Sequence, residues 1–148
     1  MKVGIIDYGY GNLFSLEKAL AHLGVRAVTL KTPKAIRGMS ALIVPGVGAF
    51  GEGIKELRKR GFEKPILSHA NVGKQLLGIC LGMQFLFDYS EEFGTHKGLG
   101  LIQGKVGRIS PKKGFKVPHI GWNEMQLPRG RKNWKSTILD GISVGKHV

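Results

Sequence analysis

Apolar positions along the chain alternate between two textures. Short apolar, β-rich runs at Val3–Ile6, residues 25–30, Ala41–Val44 and residues 76–79 have the length of strands. Between them apolar residues recur every three or four positions, at Leu13, Leu16, Leu20 and Leu23 and again at Phe50, Ile54 and Leu57, the spacing of helices that cover one face. Strand and helix in succession predict an α/β protein with a mostly parallel sheet and helices on both faces, because a parallel neighbour needs a crossover and these strands are apolar on both sides. Reactive groups in such a sheet gather at the carboxyl ends of the strands. That rule brings Asp7, the 45–48 segment and Cys80 to one rim although they are far apart in sequence.

After Gly98 the texture changes. Residues 104–110 and 117–126 look extended and are separated by Ser110-Pro111-Lys112-Lys113-Gly114, a turn sequence, which predicts a hairpin or antiparallel extension. Residues 127–140 are irregular and basic, and 142–148 reads as a strand beginning. With no internal repeat or low-complexity linker, 148 residues and 42% hydrophobic content predict one domain over 1–148.

Charge and cysteine count narrow the partners. The net charge of +13 is concentrated late, where residues 104–148 hold 10 of the 23 Lys and Arg against Glu124 and Asp140 alone. Solvated loops account for this, or a basic face for an acidic protein or a phosphorylated metabolite. No basic run carries the interleaved aromatics of a single-strand binder, so nucleic acid ranks last as a partner. No apolar stretch approaches the roughly 20 residues that span a bilayer, and Asp7 comes too early for a secretory signal, so no membrane partner and a cytoplasmic location are expected. A single cysteine forms no internal disulfide and no cysteine-based zinc cluster, and neither metal nor cofactor is expected.

That cysteine sits in Gly78-Ile79-Cys80-Leu81-Gly82, between an apolar run and a helical pattern. The arrangement is similar to the nucleophile turn of α/β hydrolytic enzymes, where the reactive atom lies on a tight strand-to-helix bend. The alternative is a buried thiol acting as a small hydrophobe. A following helix would aim its free N–H groups at the sulfur and favour the thiolate, with Leu81 N–H donating to an oxyanion. Pro45-Gly46-Val47-Gly48-Ala49-Phe50-Gly51 fits Gly-x-Gly-x-x-Gly, but Glu56 and Glu63 lie in polar, helix-like sequence where a dinucleotide site needs an acid ending a strand. Exposed N–H groups serve an oxyanion equally well, so this loop is assigned as the second oxyanion wall. Asp7-Tyr8-Gly9-Tyr10-Gly11-Asn12 is an anion loop or a glycine-rich turn. Glu92, placed at the far end of the helix after Cys80, and Trp122 would not carry a site alone.

Taken together, Gly78-Ile-Cys80-Leu-Gly82-Met-Gln84 and Ser90-Glu-Glu92-Phe-Gly94 resemble the class I, or triad, glutamine amidotransferases. Within them Asp7-Tyr-Gly-Tyr-Gly-Asn12, Pro45-Gly-Val-Gly-Ala-Phe50 and Pro118-His-Ile-Gly-Trp-Asn123 resemble the glutaminase subunits of imidazole glycerol phosphate synthase. The resemblance implies a flavodoxin-like fold and a type-1 amidotransferase domain over 1–148. It implies hydrolysis of L-glutamine to glutamate and ammonia through a Cys80 thioester. The ammonia would go to a (β/α)8-barrel cyclase that makes imidazole glycerol phosphate and AICAR in histidine biosynthesis. By position, Cys80 is the nucleophile, Leu81 one oxyanion donor, and Val47 or Gly48 the second. Gly46 lies beside the glutamine, Gln84 and Glu92 hold its amino-acid end, and Asn12, Pro118 and Trp122 face the cyclase.

A thioester mechanism also needs a base to take the thiol proton and return it to the leaving ammonia. The family supplies it as His-Pro-Glu, and no His-x-Glu occurs among His22, His69, His96, His119 and His147. The expectation is that the fold's C-terminal part is missing, leaving a sheet edge or apolar face uncovered, and that the 148-residue chain alone is inactive. The other readings are a non-catalytic cyclase-binding remnant and the glutaminase of another class I amidotransferase.

Overall fold

The computed structural model describes residues 1–111, 114 and 117–147, which divide into two compact units, Met1–Arg108 and Ile109–Val148. In the first, β1 (Val3–Ile6), β2 (Ala27–Leu30), β3 (Ala41–Val44) and β4 (Gln75–Gly78) form a parallel sheet in the order β2-β1-β3-β4. The two central strands are the unbroken apolar runs, and every residue in them is buried. The edge strands alternate, and β4 leaves Leu77 exposed beside an open edge.

Helices cover both faces. α1 (Leu13–His22), capped by Asn12 Oδ1 accepting from Ser15 N–H at 3.2 Å, sets Leu16 and Leu20 over Val3, Ala41 and Ile43. On the other face α2 (Phe50–Lys59) and α3 (Glu63–Asn71) bury Phe50, Ile54, Leu57 and Ile66 with Ile6, Leu42 and Val44. The spacing of Phe50, Ile54 and Leu57 marks α2. In α3 only Ile66 and His69 are buried, so its apolar stripe is half replaced by a histidine and the pattern is faint.

Two expectations are corrected. The helix after Cys80 is a single turn, α4 (Leu81–Gln84), and the chain then enters β5 (Phe87–Ser90), so Glu92 follows a strand instead of ending a helix. The antiparallel extension is present in different residues. β5 is the centre of a three-stranded sheet, with β6 (His96–Lys97) antiparallel and β7 (Ile102–Val106) parallel to it. Of the 104–110 run only 104–106 enters a sheet with residues 87–90, as the end of β7, and no strand forms among residues 107–110 or the described residues of 117–126. There Glu124 makes an isolated bridge to His147, which is also the one extended pairing found in 142–147. Lys112 and Lys113 of the predicted turn, with Phe115, Lys116 and Val148, lie outside the described residues.

The second unit is built from turns. Met125 N–H donates to Lys146 O at 2.9 Å, Gly145 N–H donates to Met125 O at 3.2 Å, and Trp134 is its buried large side chain. Among the described residues no helix is long and apolar enough to cross a membrane, and no cluster of three His, Cys, Asp or Glu side chains could hold a metal ion.

His69 gives the first unit a pH dependence. It is 5% exposed, and its Nε2 lies 3.1 Å from Gln75 O, the geometry of a neutral ring donating to that carbonyl. Burial pushes its pKa below the ordinary histidine value, and Lys74 adds to this against the raising effect of the bond to Gln75. A histidine whose folded pKa lies below its unfolded one contributes stability that is full above about pH 6.5 and fades as the pH falls further. Urea midpoints are therefore expected to drop between pH 7 and pH 5, and His69→Gln to flatten that dependence. An equal slope in the variant would assign the acid sensitivity elsewhere.

Candidate active site

The site starts from the turn at the end of β4. Ile79 N–H donates to Val44 O at 3.0 Å, and the next residue, Cys80, takes φ 55° and ψ −117°. These are the angles of the first central residue of a type II′ turn, where glycine is favoured because a Cβ crowds the backbone. The chain then doubles back at once. Met83 and Gln84 N–H donate to Cys80 O at 3.0 and 3.1 Å, and Gly82 N–H donates to Ile79 O at 3.0 Å. Neither flanking glycine has room for a side chain. A Cβ on Gly78 would lie 2.5 Å from Met83 Cα, and one on Gly82 would overlap the Val44 carbonyl oxygen. The outcome is an exposed thiol held on a bend, directly followed by Leu81, the residue that opens α4.

The second wall leaves β3 and packs on this turn. Tyr8, wholly buried, donates its hydroxyl to Pro45 O at 2.8 Å. Burial first, then the proximity of Cys80 and Tyr10, pushes the Tyr8 pKa far above that of a free phenol, which keeps the hydroxyl a donor. A Cβ on Gly46 would come within 2.5 Å of Tyr8 Oη, 2.8 Å of Leu81 Cβ and 2.9 Å of Gly82 N, so Gly46 brings this segment against the cysteine turn. Val47 and Gly48 then project to solvent, with Gly48 at φ 98°. Rings of Tyr8, Phe85 and Phe50 meet edge to face beneath, at 5.8 and 5.2 Å between centroids.

Glu92 reaches the same wall from the β5–β6 connection, its Oε2 accepting from Phe50 N–H at 2.7 Å. Gln84 closes α4, half-buried. Cys80, Leu81, Gly46, Val47, Gly48, Gln84 and Glu92 all belong to the first unit, as does Asn12, which caps α1. Pro118 and Trp122 belong to the second. There Trp122 and Ile120 are exposed, and Asn123 Nδ2 lies 2.7 Å from His119 Nε2. Within the first unit no hydrogen bond joins a histidine to Cys80. His22 lies at the end of α1, His69 is bonded to Gln75 O, and His96, on β6 and not in a loop, packs against Gly51. The residue the sequence left unassigned is Tyr8. Its signal is a polar-tipped aromatic two residues after a fully apolar strand.

Residues 5–115 match the family model described as the CobB/CobQ-like glutamine amidotransferase domain. The chain belongs to the glutamine amidotransferase family. Its curated relatives place it with the HisH amidotransferases. It is 50% identical over 140 residues to the imidazole glycerol phosphate synthase subunit HisH of Desulfitobacterium hafniense, covering 95% of this chain and 63% of that protein. Against HisH 1 of Legionella pneumophila strain Lens the identity is 43% over 151 residues, covering 99% of this chain and 70% of the relative. The chain thus spans a little under two thirds of the Desulfitobacterium protein's length. A solved glutamine amidotransferase superposes with a TM-score of 0.62 at 28% identity, over 72% of this chain and 56% of its own. The 45–50 loop lies beside the cysteine turn, with Gly46 against Leu81 and Gly82.

Proposed function

We propose that the protein is the glutaminase subunit of an imidazole glycerol phosphate synthase, with residues 1–148 contributing its type-1 amidotransferase domain. The observation that carries this is the glycine-type backbone of Cys80, with Gly46 in contact with the residue that follows it. Cys80 Sγ attacks the amide carbon of L-glutamine. The tetrahedral oxygen receives N–H bonds from Leu81 on one side and from Val47 or Gly48 on the other. Collapse expels ammonia and leaves a thioester, and water then releases glutamate. Glu92 and Gln84 bind the amino-acid end, where a carboxylate suits the α-ammonium. The ammonia passes to a (β/α)8-barrel cyclase forming imidazole glycerol phosphate and AICAR in the cytoplasm. Asn12, Pro118 and exposed Trp122 supply the docking contacts, and no nucleic acid takes part.

The proton acceptor is the component the first unit does not place on Cys80. The 148-residue polypeptide is therefore expected to release negligible glutamate from glutamine, with or without a cyclase, while still binding its substrate. L-glutamine at millimolar concentration should protect Cys80 from alkylation by a diazoketone analogue of glutamine, and L-asparagine should not. Failure of glutamine to protect would sink the glutaminase reading, and turnover near that of a complete homologue would sink the inactivity.

A further inference from the structure

We propose that Glu92 is a positioning residue for the oxyanion wall, coupling the ammonium end of the glutamine pocket to the backbone that receives the tetrahedral oxygen. The inference rests on the glutaminase reading above and adds a link within that site.

α2 begins without a side-chain cap of its own, since the residue before it is Ala49. The N–H of Phe50 instead donates to a carboxylate 42 residues away, Glu92 Oε2, at 2.7 Å. An anion is favoured there by the unpaired amides and partial positive charge of a ten-residue helix. The chain on both sides of Glu92 is shaped to deliver it. Ser90, wholly buried, accepts the Glu92 N–H on its Oγ at 3.1 Å. Phe93 adopts φ 52° although it is not glycine and leaves its ring 89% exposed. A left-handed non-glycine residue has a free-energy cost and persists where its surroundings over-determine it. Burial of the Phe93 ring does not supply that reason, whereas the bond made by its neighbour does.

The oxyanion segment is thus tethered at both ends by side chains from other elements, Tyr8 at Pro45 and Glu92 at Phe50, with Val47 and Gly48 exposed between them. The two tethers differ. The Tyr8 bond is buried and fixed, while Glu92 remains exposed as a residue and open to a second partner. An α-ammonium drawn to this carboxylate shares it with Phe50 N–H. Sharing weakens the bond to Phe50, so occupancy of the ammonium end changes the restraint on the 46–49 backbone. A ligand without the α-amino group leaves that restraint as it is.

Amide NMR and hydrogen exchange on the 148-residue protein test both parts. Glu92→Ala should speed exchange at the Phe50 amide about tenfold or more, the equivalent of one lost charge-assisted bond. Glu92→Gln keeps a neutral acceptor and should restore most of the protection. In the wild type, L-glutamine should shift the Phe50 amide proton saturably together with the Val47 and Gly48 amides, whereas glutaramate, which lacks only the α-amino group, should leave Phe50 unmoved. In Glu92→Gln the response of Phe50 to glutamine should vanish. Unchanged Phe50 exchange in Glu92→Ala overturns the tether, and glutamine shifts at Leu81 and Gly48 without one at Phe50 overturn the coupling. Absence of any glutamine shift around Cys80 counts against the glutaminase reading and the coupling, while the exchange comparison still decides the tether.

Discussion

Replacing Gly82 with alanine is expected to lower the unfolding free energy of the protein by about 3 kcal/mol, the upper end of what overpacking costs in a filled interior. The added methyl would overlap the carbonyl oxygen of Val44 and approach that of Pro45 to 2.9 Å, and both are backbone atoms with no rotamer to escape into. Val44 is wholly buried at the end of a central strand, and its carbonyl already accepts from Ile79 N–H at 3.0 Å, so moving it disturbs the register that sets up the cysteine turn. Gly73→Ala makes a useful comparison. Nothing lies within 4 Å of a Cβ there, so its cost comes only from the backbone at φ 75°. Urea unfolding at neutral pH checks both, and a Gly82 variant no worse than the Gly73 one would show that α4 can slide away from β3 at little cost.

What the sequence revealed, and what it did not, follows from how far each structural decision reaches along the chain. β1 and β3 are legible because burial on both faces demands an unbroken apolar run, and Val3–Ile6 and Ala41–Val44 meet that demand locally. The cysteine turn is legible for the same reason, its two glycines lying within two residues of Cys80. β5 was not. Phe85, Leu86 and Phe87 continue the apolar texture after Cys80 as well as a longer helix would. The helix stops because residues 98–102 take the carbonyls it would have used. Leu99 N–H donates to Phe85 O at 2.7 Å, Leu101 N–H to Leu86 O at 2.8 Å, and Gly98 N–H to Asp88 O at 2.7 Å. No local spacing encodes such a pairing. α3 was faint because a buried histidine with a backbone partner stands where its stripe needs a second apolar residue. At the site, the residue types announced the tight cysteine turn and its glycines, whereas the hydrogen bonds from Tyr8 and Glu92 span 37 and 42 residues and became visible with the fold.

Cys80→Gly is expected to raise stability while removing the chemistry. A non-glycine residue at φ 55° and ψ −117° carries on the order of 1–3 kcal/mol of backbone strain, and glycine relieves it at an entropic cost of about 0.5–1 kcal/mol. The net gain should be about 1 kcal/mol. The thiol contributes little to offset this, because Cys80 is exposed and gives up no core packing when truncated. Cys80→Ala separates the two effects. It deletes the sulfur but keeps the Cβ, so it should stay near the wild type while the glycine variant lies above both, and neither should react with the glutamine analogue. That order, glycine above alanine and alanine level with cysteine, is the mark of a site whose geometry is kept for reactivity at the expense of stability. Denaturation curves of the three proteins under reducing conditions settle it, and a glycine variant less stable than the alanine one would mean that the bend is relaxed and the nucleophile is not held under strain.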